Sequence, residues 1–166
     1  MILFAYAGNM NVDEFAKLVP SAKKIGVAKL PGYKFIFNTT APDESSKANV
    51  VRSLEPNAAV WGILIQINDE ERENFFNPDP VTNDLELELV SCVTQNEITY
   101  HPEVFTAKPH AVNTHLLPYD WYHQRIIKLT KDADLPKAYI SQITAMTFKT
   151  DPDEERRMNQ LKRFGL

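Results

Sequence analysis

Met1-Ile2-Leu3-Phe4-Ala5-Tyr6-Ala7-Gly8-Asn9-Met10 opens the chain, and its reading decides how the rest is arranged. Met1 to Tyr6 is a short apolar, β-prone run, which predicts a buried strand. The strand stops at Ala7-Gly8-Asn9, where small residues let the backbone turn sharply and present its amides. Val12 to Leu18 then predicts a short helix, capped by Asn9 or Asn11. A strand that breaks into such a turn just before a helix can hold an anion on clustered N–H groups. The plainer alternative is a tight turn that only keeps the first strand straight.

The strongest strand signal lies farther on, at Val60-Trp61-Gly62-Ile63-Leu64-Ile65-Gln66-Ile67, apolar on both faces and therefore central. Ile25 to Leu30 and Tyr33 to Asn38 flank Pro31-Gly32, which predicts a strand pair joined by a turn. Tyr33, Phe35 and Phe37 share one face. Thr39 to Ala48 is polar and reads as a loop, and Asn68 to Phe76 reads as helical. Leu85-Glu86-Leu87-Glu88-Leu89 alternates as a strand with one wet face, and Glu97 to Tyr100 is a shorter strand. His101 to Pro118 carries three prolines and reads as a long loop. Tyr119 to Leu129 and Leu135 to Ile143 read as helices, the first with Trp121, Tyr122, Ile126 and Leu129 inward. The tail begins with acids after Asp151 and ends with Lys162-Arg163, the charge order a helix dipole favours. It can lie on its own domain or on a second subunit. The order of elements predicts an α+β class with a mixed, partly closed β-barrel and flanking helices.

At 166 residues the chain is long enough for one domain with a proper core. A net charge of −4 gives no electrostatic case for nucleic acid or an anionic membrane. Nothing resembles a secretion signal or a membrane span, so the expected compartment is cytoplasmic. The single cysteine, Cys92, excludes an internal disulfide framework and reads as a buried, inert thiol. His101, His110, His115 and His123 lack metal-site spacing, so no metal is expected. Tyr100, Tyr122 and Tyr139 could offer hydroxyls to a pocket or simply pack as aromatics.

Several blocks resemble the gamma-glutamylcyclotransferase-like superfamily. Tyr6-Ala7-Gly8-Asn9-Met10 fills the slot of the family's Tyr-Gly-Ser-Asn-Met. Ala22 to Asn38 matches its Ala-x-x-x-Gly-x-Ala-x-Leu-x-Gly-Tyr-x-Phe-x-Phe-Asn without a gap. Val60-Trp61-Gly62-Ile63-Leu64 is similar to its Val-Trp-Gly-Val-Leu strand, and Leu135-Pro136 with Tyr139-Ile140 to its Leu-Pro-x-x-Tyr-Ile. The match implies a domain over residues 1–147 and a helical tail over 148–166 outside it.

The resemblance implies a cavity beside the first turn that takes a small γ-glutamyl or related amino-acid amide. Tyr6, Ala7, Gly8, Asn9 and Met10 would bind it, with Tyr100, Tyr122 and Tyr139 nearby. Active members convert a γ-glutamyl amide to 5-oxoproline and a free amine without a cofactor. The implied partner is a small molecule, with no nucleic acid and no membrane, in a monomer or homodimer. Family enzymes carry their proton-shuttling acid in Leu-Asp-x-x-Glu-Gly. The matching stretch here is Phe75-Phe76-Asn77-Pro78-Asp79-Pro80-Val81, which sets Pro80 in the Glu slot. A shift of one residue puts Asp79 there instead, and Asp79 is the candidate catalytic acid. The alternative is a non-catalytic ligand-binding or interaction protein on the same scaffold.

Overall fold

The computed structural model describes residues 1–75 and 84–166. Nine strands and four α-helices are seen among them. Strand β1 (Ile2–Ala5) lies between β5 (Ala59–Gln66), antiparallel to it, and β9 (Glu103–Ala107), parallel to it. Beyond β5 comes β2 (Lys23–Pro31), then β7 (Cys92–Thr94) and β8 (Thr99–Tyr100). Beyond β9 comes β6 (Leu85–Leu89). The whole order is β6-β9-β1-β5-β2-β7-β8.

The two ends of that order are joined through the chain itself. Val90-Ser91 links β6 to β7, and His101-Pro102 links β8 to β9. The corner is pinned by the Val90 amide, which donates to the Pro102 carbonyl at 2.9 Å. One long bent hairpin therefore supplies both sheet edges, and links this short force the sheet to curl into a half-barrel. The α+β, partly closed barrel expected from sequence is the fold observed.

A separate ribbon, β3 (Tyr33–Thr40) with β4 (Ser46–Arg52), crosses the open side. Asn49 fastens it. Its Oδ1 accepts from the Ala107 amide of β9 at 3.0 Å, while its Nδ2 donates to Asn38 Oδ1 at 2.9 Å. Both asparagines are buried, so these bonds meet demands that water cannot. Tyr33 adds a second fastening by donating to Glu88 Oε1 on β6 at 2.7 Å.

Three sequence expectations are corrected here. The strands flanking Pro31-Gly32 do not pair with each other: β2 joins the large sheet and β3 the ribbon. Gly32 takes a positive φ of 76°, and its amide and carbonyl bond to Ala58 and Ser53 instead of closing a hairpin. The segment Thr39 to Ala48 is not all loop, because β3 and β4 reach into it. His101 to Pro118 hides β9, whose Val104 and Phe105 are buried. The flanking prolines mask a strand that owes its existence to β1 and β6 on either side.

Helix α1 (Val12–Phe15) is shorter than expected, with Asn11 as its cap through a 3.1 Å bond from the Glu14 amide. Helix α2 (Asp120–Asp132) buries Trp121, Tyr122, Ile126 and Leu129, as its periodicity predicts. Helix α3 (Lys137–Thr144) starts just after Pro136, and α4 (Glu154–Phe164) is capped by Asp153. Tyr33, Phe35 and Phe37 are all buried, in keeping with their shared face.

The tail helix lies on the body of its own chain. Asp151 is buried and accepts from Trp121 Nε1 and from Arg156 Nε, both at 2.8 Å. Arg157 Nε donates to buried Asp120 at 2.7 Å. Burial opposes ionisation of Asp151, but the bonds from Arg156 and Trp121 outweigh it, so its pKa is lowered.

Candidate functional site

The end of β1 is shaped by Gly62 in the neighbouring strand. A methyl group there would sit 2.3 Å from the Ala5 carbonyl oxygen and 2.9 Å from the Phe4 ring. Only a residue without Cβ lets β1 approach so closely as it leaves the sheet. The chain then makes a 3₁₀ turn at Gly8–Met10. Met10 donates to the Ala7 carbonyl at 2.9 Å and Asn11 to the Gly8 carbonyl at 3.2 Å. The turn thus consumes the amides of Met10 and Asn11 and leaves those of Gly8 and Asn9 outside its own bonding.

Ala7, Gly8 and Asn9 are half-buried, while Tyr6 and Met10 are buried. Ala7 has a negative φ of −140°, so it does not need the left-handed freedom of a glycine. Gly8 has no positive φ. A methyl group on it would meet only the Arg125 guanidinium, at 3.6 Å from Nη2.

Tyr6, just before this turn, comes together with Tyr122 and Tyr139. Tyr6 donates to the Phe105 carbonyl at 2.8 Å, and its ring meets Phe35 edge-on at 6.2 Å. Burial raises the Tyr6 pKa, and the neighbouring Tyr122 and Tyr139 raise it further. Tyr122 accepts from the Ala48 amide at 3.3 Å. Burial raises its pKa, opposed by the Ala48 bond and the Arg125 charge. Tyr139 is buried with a hydroxyl that makes no hydrogen bond among the described residues. The Trp61 backbone lies alongside outside bonding geometry and only partly offsets the burial that raises the Tyr139 pKa. Tyr100 lies on β8 opposite Cys92 and is not among the tyrosines that influence Tyr6. Asp79 lies outside the described residues.

Sequence reasoning missed Arg125. It lies three residues after Tyr122 on α2, so helical spacing alone puts the two on adjoining faces. Its Nη2 lies 3.1 Å from Glu14 Oε2, and Arg163 Nη2 lies 3.2 Å from Glu14 Oε1. Phe164 stacks under the Arg125 guanidinium at 4.0 Å. These side chains line a cleft of about 440 Å³ together with Asn11 and Lys17. A second cleft, of about 640 Å³, runs between Tyr33, Phe35, Trp61, Tyr139 and Met146. Tyr6 to Met10 line neither; the first cleft reaches Gly8 through Arg125 and the second reaches Tyr6 through Phe35 and Tyr139.

Other chemistry is thin. Cys92 is buried, and burial pushes its thiol up to about 12. His123 contacts the Ile143 carbonyl at 2.8 Å and stacks on Phe148, a packing role. Among the described residues no His, Cys, Asp and Glu group could hold a metal ion. No described helix is long and apolar enough to cross a membrane.

No protein-family model and no curated protein matches this sequence. Solved structures do. A gamma-glutamyl cyclotransferase aligns with a TM-score of 0.77 over 96% of this chain and 98% of its own, at 20% identity. An uncharacterised protein from Homo sapiens aligns with a TM-score of 0.75, covering 95% and 97%, at 21% identity. A yeast gamma-glutamyl cyclotransferase specific to glutathione aligns with a TM-score of 0.56 over 99% and 96%, at 10% identity. The curled sheet, the ribbon across it and the end-to-end superposition lead to one conclusion: this chain has the gamma-glutamyl cyclotransferase-like fold.

Proposed function

We propose that the protein binds a small γ-glutamyl amide, or a related amino-acid amide, at the turn Tyr6 to Met10. One observation carries this reading: the half-buried turn keeps the Gly8 and Asn9 amides out of its own hydrogen bonds, next in the chain to buried Tyr6, which neighbours Tyr122 and Tyr139. Such amides suit a carboxylate or a polarised carbonyl oxygen. The likeness to gamma-glutamyl cyclotransferase structures supports a small-molecule ligand.

Cyclisation needs more than this. The ligand's α-amine attacks its own γ-carbonyl, closing the ring as the bond to the leaving amine breaks. The proton shed by the attacking nitrogen must reach that leaving amine, and a carboxylate is the usual carrier. Glu14, on the helix that follows the turn, is engaged by two guanidiniums, those of Arg125 and Arg163. By sequence, Pro80 occupies the family's acid slot and Asp79 is the remaining candidate. Loss of a positioned proton carrier costs about 10²–10⁴ in rate. We therefore assign ligand binding as the main task, with slow cyclisation through Asp79. The second reading, a binder with no turnover, rests on Pro80 standing in the family's acid slot.

The test is a panel of γ-glutamyl amides scored for thermal stabilisation and for 5-oxoproline. Saturable stabilisation with slow 5-oxoproline release, abolished in Asp79→Asn, is expected. Stabilisation with no product supports the pure binder. No stabilisation and no product from any amide rejects both.

A further inference from the structure

We propose that Arg125 reads the ligand's carboxylate and that the C-terminal helix holds it there for that purpose. This rests on the ligand reading above. The guanidinium is the group nearest to Gly8 on its open side, 3.6 Å from where a methyl would project. It is placed from two directions. Glu14 on α1 grips Nη2, and Phe164 on α4 supports the flat face. Phe164 is itself stacked on buried Trp121, with centroids 6.3 Å apart and planes 21° from parallel. Planar support of this kind fixes a guanidinium while leaving its edge free to donate.

Charge makes the arrangement more than a clamp between helices. Glu14 is one carboxylate shared by two guanidiniums, Arg125 and Arg163. The trio keeps one net positive charge beside the turn. Arg125 is also mostly buried, with its side chain 19% exposed, so solvent screens that charge less than a surface arginine's. Two amides unconsumed among the described residues and an adjoining cation make a matched receiver for one carboxylate. Arg163 contributes without touching the ligand: by drawing on Glu14 it stops the acid from neutralising Arg125 completely. The C-terminal helix is thus part of the binding machinery, although its sequence lies far from the turn.

The test compares two probes by calorimetry: γ-glutamylethylamide, and the same molecule with its α-carboxylate converted to the carboxamide. The full-length protein should prefer the carboxylate probe at least tenfold. Arg125→Met keeps an apolar stem over Phe164 but no charge; it should lose that preference and bind the carboxamide as before. Arg163→Gln, at a 62% exposed position, should fold normally and lower carboxylate affinity several-fold without affecting the carboxamide. Both variants keeping the wild-type preference would overturn the proposal while leaving the ligand reading intact. If the wild-type protein binds neither probe, the ligand reading fails and this inference fails with it.

Discussion

The turn after β1 has two walls, built on different principles. On one side is β5, where Gly62 lets the Ala5 carbonyl approach to a distance no side chain would permit. On the other is the α2–α4 flank, where Arg125, Glu14, Arg163 and Phe164 meet through charge and stacking. The first wall is close-packed, apolar and intolerant of added volume. The second leaves room: the same methyl that Gly62 forbids is an ordinary contact at Gly8. The binding proposed at this turn needs both, a rigid wall to fix it and an adaptable one to receive a guest.

The sharpest way to break this contrast is Gly62→Ala. The clash is with backbone, so β1 must shift, and we expect a loss of about 3 kcal/mol in unfolding free energy by urea titration. A loss below about 1 kcal/mol would mean that the β5 wall is not rigid. Next is the anchor of the charged wall. Asp151→Asn removes the buried charge under Arg156 and should cost about 2 kcal/mol, also by denaturant titration. The pH dependence has a definite sign. The Asp151 pKa is lowered in the folded state, so its contribution is present above its ordinary value of 3.8 and fades as pH falls through the depressed one. Near-ultraviolet circular dichroism of Trp121 should report the loosening of α4 in that acid range.

Tyr139→Phe should be smaller and opposite in character. Its hydroxyl is buried without a bond among the described residues, so removing it should leave stability unchanged or raise it by up to about 1 kcal/mol. A loss above that size would reveal a partner for the oxygen. Gly8→Ala should shift stability by less than about 0.5 kcal/mol, because φ is not positive and the added methyl makes only an ordinary contact with Arg125. The two glycine variants measured together test the contrast directly: similar losses would erase it.

Much of the scaffold was legible in local pattern. The apolar opening strand, the apolar β5 segment, the alternating Leu85–Leu89 strand and the inward face of α2 all follow from the spacing of apolar residues. Asn11 was readable as a cap because its side chain competes for a free helical amide. At the candidate site, the small residues were legible as a bend and Tyr122 and Tyr139 as aromatics that pack inward. Tyr100 was not separable from them, since a half-buried tyrosine on a short strand looks the same in sequence wherever that strand docks.

By itself, the sequence determined which segments bury a face and where the chain must bend, because side-chain period and glycine or proline dihedrals are local properties. Only the tertiary structure decided which segments became neighbours. It separated β2 from β3, drew β9 out of a proline-rich stretch and curled the sheet through the two short corners. It also brought Glu14 to Arg163 across 149 positions and set Arg125 against Gly8. Such pairings depend on how the whole chain closes on itself, and no periodicity within a single element carries that information.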